Sequence, residues 1–551
     1  MPSLGKLSVK KASSTGLPAT FVIGVAMLSA CLGHHLDLGG GQAVGASGTG
    51  GSPATAGSFS GWSGTGGGGL RLTDGVAGLG GAAASAGYGG SDAASAGGGV
   101  GGALDSSAGS GTLAGVVVAL DRVEQEIEGF GLSNLFSPSL TADQAELLFD
   151  PTDGIGLSIL RIGMNWTGMP LAWWSSTTNI TSDPLADVAL ARMKSPTTII
   201  ATVLSAPANC KSNGSEYDGG HLLTSCYESW AATIAAFPAL LKAKTGVDLY
   251  AISVQNEPDF ASCDNTGAPC YGSYPSMLFT ADELVNFTKV VGPKLRSASP
   301  TVKITAPDPA EWLHLWSNDS AIGSQNPLSG VGYDYGHALA RDAEAWALID
   351  IFGTQQYDTE LAVPWPSDVP QSKAVWQTQM SGIEWWPEGT RDSGINNGVA
   401  VAGWIHDALV NGRASAWLWF RYQNQEKDLD DNEGLALKDG TVAKRLYTLG
   451  NYSKFIRPGY TRVDVTGNAL AAVLLSAFKG PDGTVVVVAI NKGDSAVILP
   501  ISISGGGPPA FVTPWVTSAT EDLIARAPLP VSAASFTATL DSHTVTTFVG
   551  K

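Results

Sequence analysis

The chain has 551 residues, 44% of them hydrophobic and 15% charged, with a formal net charge of −18 and 69 glycines. That length admits one large barrel domain or two to three smaller ones. The acidic balance excludes a nucleic-acid partner, whose phosphates need a basic footprint, and docking on an anionic membrane surface; an uncharged partner is easier to accommodate.

Residues 1–31 read as a targeting segment. Lys6, Lys10 and Lys11 form a positive region ahead of the apolar stretch Gly16–Ala30, which falls short of the ~20 residues a bilayer span needs. The stretch ends in Leu28-Ser29-Ala30-Cys31, which resembles a bacterial lipoprotein box with Cys31 as the lipidated residue. Leu32 follows in place of the aspartate that commonly retains such proteins at the inner membrane. An outer-membrane or cell-surface lipoprotein, or a secreted one, is therefore expected.

Residues 32–112 are dominated by Gly, Ser, Ala and Thr, a composition that buries too little apolar surface to offset its ordering entropy. As a flexible coil it would span ~50 Å and act as a tether. Four cysteines remain beyond Cys31: Cys210, Cys226, Cys263 and Cys270. An even number fits two disulfides in an oxidising compartment. Three connectivities are open, and the near-neighbour one (Cys210–Cys226, Cys263–Cys270) is favoured. No Cys-x-x-Cys pair or nearby His-x-x-x-His marks a zinc site.

From residue 113 the pattern becomes that of a folded chain. Residues 113–128 read as one strand of a side domain. Eight short apolar runs then recur over 129–456: Gly129–Phe136, Leu157–Gly163, Thr197–Ser205, Leu249–Asn256, Val302–Ala306, Leu348–Tyr357, Ala374–Ser381 and Ala414–Phe420. Amphipathic stretches such as Tyr227–Lys244, Ala281–Ser297 and Gly398–Val410 lie between them, whereas residues 358–373, with three prolines, read as non-helical. Eight strands alternating with helices predict an α/β fold, a closed (β/α)8 TIM barrel. No Gly-x-Gly-x-x-Gly opens a helix, so a nucleotide-binding sheet is not expected. Residues 457–551 carry strand-like runs separated by Gly, Pro, Asp and Ser turns, predicting an antiparallel β-sandwich side domain completed by residues 115–127.

Chemistry in such a barrel sits at the C-terminal strand ends. The fourth run ends in Asn256-Glu257-Pro258 and the seventh in Trp376-Gln377-Thr378-Gln379. Retaining glycosidases need two carboxyl groups ~5–5.5 Å apart, which strand ends facing across a barrel mouth can supply. Here the second position is an amide.

Four runs carry a resemblance: Gln125–Gly131 (QEIEGFG), Leu157–Arg161 (LSILR), Leu249–Asp259 (LYAISVQNEPD) and Ser453–Tyr460 (SKFIRPGY), with Val545–Val549 closing the chain. Over residues 113–551 the chain resembles glycoside hydrolase family 30, and within it the bacterial glucuronoxylanase-like endo-xylanases. The resemblance implies a barrel with a β-sandwich side domain and a retaining endo-glycosidase of β-linked plant polysaccharide, xylan first, with β-1,6-glucan or galactan as alternatives. It makes Glu257 the acid/base, gives Asn256 the sugar 2-hydroxyl, and has Arg161 orient the carboxylates.

The chain departs from that pattern. Gln379 stands where the family has its glutamate nucleophile, and an uncharged amide is a poor nucleophile. Gln355 replaces a usual histidine, and Asn209 lies near a common tryptophan position. Glu384, and Glu388 beyond it, are alternative carboxylates. Three readings stand: an impaired enzyme, a polysaccharide-binding pseudoenzyme, or a site served by a displaced carboxylate. Trp166, Trp173, Trp174, Tyr357, Trp385, Trp386 and Trp419 could stack on sugar rings. Arg421, after the eighth strand, is not clearly in register with the arginine that holds the uronate in glucuronoxylan specialists, and an acidic run from Glu426 to Asp431 follows it, so glucuronate dependence is not expected. The expected partner is a polysaccharide, with membrane contact only through a lipid anchor, no metal or organic cofactor, and a monomeric chain.

Overall fold

The computed structural model describes residues 115–172, 174–175, 180–261, 274–319, 332–357, 362–382, 393–424, 433–468 and 470–551. Cys31, the tether, Trp173, Cys263, Cys270, Glu384, Trp385, Trp386 and Glu388 lie outside the described residues, as do the side chain of Trp174 and the run Glu426–Asp431.

Strand β1 (Val116–Ile127) runs into the side domain, and Gly129 turns the chain into the barrel with φ 144°. Eight parallel strands then close on themselves: β2 (Gly129–Ser133), β3 (Ile159–Met164), β4 (Thr198–Val203), β5 (Ala251–Ser253), β6 (Lys303–Pro307), β7 (Ile351–Gln355), β8 (Ala374–Gln379) and β9 (Ala414–Phe420). Each follows one of the eight apolar runs. Closure comes from β9 pairing with β2, Trp417 opposite Phe130.

The helices outside the barrel start and stop where short-range chemistry says they should. Helices α1 (Ala142–Phe149) and α4 (Ala281–Ala298) open on capping boxes, Thr141 with Gln144 and Thr280 with Glu283. Helix α2 (Pro184–Lys194) has Asp183 as its cap and proline at its first position. Helix α3 (Tyr227–Thr245) ends on Gly246 in the left-handed conformation. Two short helices, α5 (Tyr335–Arg341) and α6 (Ala343–Leu348), precede β7, and α7 (Ile395–Val410) and α8 (Lys444–Ser453) flank β9. Residues 362–373 contain no helix.

Inside the barrel, side chains two apart on a strand point the same way, and this sets two levels. At the N-terminal end Ile159, Ile200, Ala251, Ile351, Trp376, Ala416 and Leu418 form a small apolar cluster. Tyr250 stacks on Trp376 there, ring centroids 5.8 Å apart. One step up β3 from Ile159 is Arg161, where the lining turns polar. The apolar level plugs one end of the barrel, and the polar lining lies at the other.

The side domain is the expected β-domain, built from one continuous sheet. Strands β10 (Tyr460–Thr466), β11 (Val473–Lys479), β12 (Val485–Asn491), β13 (Val497–Ser504), β14 (Phe511–Thr517), β15 (Ser535–Leu540) and β16 (Thr544–Gly550) join β1 in a single ten-stranded sheet with two short edge pieces. Its order is β14-β16-β12-β11-β10-β1-β13-β15, and β1 pairs parallel to β13, Val116 opposite Ile501. The twist of so long a sheet curls it until its ends meet: Phe536 on β15 lies against Phe548 on β16, centroids 5.2 Å apart. The result packs like two layers, and its core includes Val118, Val487 and Ile501.

This domain is fixed to the barrel by named bonds. Gln125 on β1 donates to the carbonyls of Leu409 and Ala414 at 2.6 and 3.1 Å. Asn451 on α8 donates to Trp515 O and Thr547 Oγ1 and accepts from Thr517 Oγ1 at 2.6 Å. The Gln125 bonds thus brace the N-terminal end of the barrel, opposite the mouth.

Candidate active site

Glu257 follows β5 and takes a left-handed φ of 47°. A non-glycine residue there is strained by roughly 1 kcal/mol or more, and such strain collects at functional sites. The turn is held by Glu257 N donating to Asp308 O at 3.0 Å and Phe260 N donating to Glu257 O at 3.1 Å. Pro258 then stiffens it. The carboxylate is aimed into the mouth by this backbone, not by its own rotamer alone.

Opposite stands Gln379, the last residue of β8. Its Nε2 donates to Glu257 Oε1 at 3.4 Å and to Tyr357 Oη at 3.2 Å. Its Oε1 accepts from Arg161 Nη1 at 2.5 Å and from Ser133 Oγ at 3.2 Å. Arginine is a pure donor, so it dictates which way the amide faces. The side chains of residues 257 and 379 are thus in direct hydrogen-bond contact across the mouth.

Arg161 ties the centre together. Nη2 reaches Asn256 Oδ1 at 2.8 Å and Asp308 Oδ2 at 2.9 Å, with Arg161 and Asp308 both buried. Asn256 Oδ1 also accepts from Gln355 Nε2 at 3.1 Å. With its oxygen doubly used, Asn256 has its amide hydrogens for another partner. Gln355 thereby orients Asn256. Asp308 also accepts a hydrogen bond from the Thr378 hydroxyl.

Burial, the largest influence, pushes the Glu257 carboxyl up to about 7; the Tyr274 hydroxyl and Arg161 pull it down, and Asp259 and Asp308 add to the rise. Tyr274 Oη donates to Glu257 Oε2 at 2.5 Å. Its own ionisation is driven well above the usual phenol range by burial and the Glu257 charge, so it is a neutral donor. Asp259, two residues on, accepts from Ala310 N at 2.8 Å, Glu311 N at 3.3 Å and His314 Nδ1 at 2.7 Å. It thus joins the loops after β5 and β6 beneath Glu257.

The aromatic expectations divide. Tyr357 is at the site, as the hydrogen-bond partner of Gln379. Trp166 is half-buried on the loop after β3, its ring 5.7 Å from Tyr217. Trp419 must be corrected: its ring is fully buried and its indole donates to Glu433 O at 2.7 Å, so it offers no face to a sugar. Exposed Asn209 sits in a short 3-10 turn beside Cys210. Cys210 and Cys226 are bonded, which is the near-neighbour pairing for that half of the framework. Arg421 is bound by Glu433 at 2.5 Å, and Glu433 also accepts from Asn424 at 2.7 Å. Among the described residues no cluster of His, Cys, Asp and Glu is arranged to hold a metal.

Sequence reasoning did not single out Tyr274, Asp308, Ser133 or Glu433 as site residues. Asp308 carried a faint signal, a charged residue directly after the apolar strand end Ala306-Pro307. The others lie in loops or on a strand with no distinguishing pattern.

A closed (β/α)8 barrel with a buried carboxyl of raised pKa facing a second polar side chain across strands four and seven has the frame of a glycosidase. Comparison with known proteins agrees. Residues 459–548 match the family model described as the glycosyl hydrolase family 30 beta sandwich domain. Glucuronoxylanase XynC of Bacillus subtilis (strain 168) is 29% identical over 451 residues, covering 79% of this chain and 91% of that protein. A GH30 endoxylanase from Clostridium papyrosolvens C71 superposes with TM-score 0.62 at 28% identity, covering 79% of this chain and 100% of that one. The subfamily 8 xylanase Xyn30A from Clostridium acetobutylicum gives TM-score 0.63 at 25% identity over 79% and 99%. The C-terminal region thus matches the family 30 beta sandwich domain, and the chain over most of its length is similar to glycoside hydrolase family 30 xylanases.

Proposed function

We propose that this chain is an exported endo-acting glycosidase barrel for β-linked xylan in which Glu257 is the acid/base and Gln379 occupies the nucleophile's seat, leaving a protein that holds its glycan far better than it cuts it. The observation that carries the reading is the facing pair: Gln379 Nε2 lies 3.4 Å from Glu257 Oε1 while Arg161 claims the amide oxygen.

The chemistry follows from the residues. A xylan chain lying across the mouth brings its glycosidic oxygen to Glu257, which at about 7 is still substantially protonated in neutral solution and can protonate the leaving oxygen. Asn256, its amide hydrogens turned outward, takes the 2-hydroxyl of the sugar being cleaved. Positive charge then develops at the anomeric carbon. A carboxylate at position 379 would trap it as a glycosyl ester. Gln379 is neutral, and it directs its oxygen to Arg161 and its hydrogens to Glu257, so it neither stabilises that charge nor attacks it.

Xylan is supported by the relatives, whose names are those of glucuronoxylanases and xylanases. Dependence on a glucuronate branch is disfavoured because Arg421 is already neutralised by Glu433. The same bonds argue against Glu433 as a stand-in nucleophile. The leader ending at Cys31 and the Gly-rich segment support a lipid-anchored, tethered display outside the cell.

The test is reducing-sugar release from xylans and β-1,6-glycans by the purified protein, its Gln379→Glu form and its Glu384→Ala form. The proposal expects appreciable cutting only after Gln379→Glu. Native cutting abolished by Glu384→Ala would assign the reaction to a displaced carboxylate and overturn it.

A further inference from the structure

The disulfide loop between β4 and α3 does more than decorate the barrel. Residues 274–278, which carry Tyr274, run alongside it. Asp218 N donates to Tyr274 O at 3.3 Å, Gly219 N to Ser276 Oγ at 2.9 Å, and Leu278 N to Gly220 O at 2.9 Å. The Cys210–Cys226 bond closes the base of this loop. Next to it, Lys211 is a buried lysine that the mechanism above does not use; only 3% of it is exposed. Its Nζ donates to Ser276 O at 2.5 Å and to Ser205 Oγ at 2.9 Å, with Ser205 at the mouth end of β4.

Burying an ammonium is costly unless its donors are used. Here two of its three donors bond a barrel-strand end to the segment that carries Tyr274. Two residues before that carbonyl, the Tyr274 hydroxyl sits 2.5 Å from Glu257. We infer that Lys211 is a positioning residue: its buried ammonium pins the Tyr274 segment to the disulfide-closed loop and so keeps the Tyr274 hydroxyl on Glu257.

The inference rests on Glu257 being the titrating acid of the proposed function. The charges bearing on Glu257 come from Tyr274, Asp259, Arg161, Asp308 and Tyr357. Those bearing on Lys211 come from Asp218 and Glu216. The Tyr274 bond holds Glu257 down, so losing that bond while Glu257 stays buried lets its carboxyl rise.

The experiment needs no substrate. The full chain is labelled with 3-fluorotyrosine, and the Tyr274 fluorine resonance is identified by its loss in Tyr274→Phe. Its shift is followed against pH in the native protein, in Lys211→Met and in Ser276→Ala, which loosens the same segment without touching the lysine. The native resonance should titrate with Glu257, and Glu257→Gln should flatten it. In Lys211→Met the midpoint should move up by about half a unit or more, or the pH response vanish, while far-UV circular dichroism stays native. If Lys211→Met does not fold, Ser276→Ala is expected to show the same displacement. An unmoved midpoint in whichever of the two variants folds overturns the inference, because a merely structural lysine would lower the melting temperature and leave the titration alone. A titration that persists in Glu257→Gln instead defeats the assignment of Glu257, a separate failure.

Discussion

Arg161 Nη1 and Gln379 Oε1 are 2.5 Å apart, and the same guanidinium holds Asp308 at 2.9 Å. One buried cation therefore balances one buried carboxylate, and residue 379 adds no charge. A glutamate there would place a second anion on Arg161 and a like charge beside Glu257. The native site is electrically quiet where a double-displacement enzyme is not.

That balance makes Arg161 structurally expensive to remove. Arg161→Met leaves Asp308 buried and unpaired, which costs about 3–5 kcal/mol. Guanidinium unfolding should show that loss, and most of it should return in the Arg161→Met/Asp308→Asn double variant. A loss below about 1 kcal/mol would mean that Asp308 is satisfied without the arginine.

Glu257 couples stability to pH. Its carboxyl stands at about 7 in the fold against 4.5 ordinarily. A raised carboxyl contributes stability that is fully present below 4.5 and is lost as pH rises through 7. Glu257→Gln, which cannot ionise, should therefore gain on the native protein between pH 5 and pH 8.5, by up to about 3 kcal/mol. Urea unfolding at the two pH values measures the difference. An equal gap between the proteins at both would remove the case for a buried, raised carboxyl.

Glu433 is expected to set tolerance for charged branches. Glu433→Gln frees the Arg421 guanidinium from its carboxylate partner, and a uronate-bearing xylo-oligosaccharide should then bind on the order of tenfold tighter, about 1.4 kcal/mol. Undecorated oligosaccharide should be unaffected. Calorimetric titration of both ligands separates this from a general change in the mouth.

Much of this site could be read before any coordinates. The eight apolar runs predict the barrel because strand burial on both faces leaves a nearly continuous apolar signature, and Glu257 and Gln379 fall at strand ends that topology brings together. What stayed hidden has a common cause. Tyr274 reaches Glu257 from a loop, where no periodicity marks a residue. Trp419 looked like a platform, but alternation along β9 does not say which indoles find a carbonyl such as that of Glu433. The side domain's strands were legible, whereas their union into one curled sheet depends on β1 pairing with β13, a contact spanning hundreds of residues.

The account turns on residue 379, and covalent trapping tests it most directly. The native protein and its Gln379→Glu form are incubated with an activated 2-deoxy-2-fluoro xylobioside, and intact masses are recorded. The account predicts one added glycosyl group on the Gln379→Glu form, at residue 379, and none on the native chain. A glycosyl group on the native chain, at any carboxylate, would contradict it.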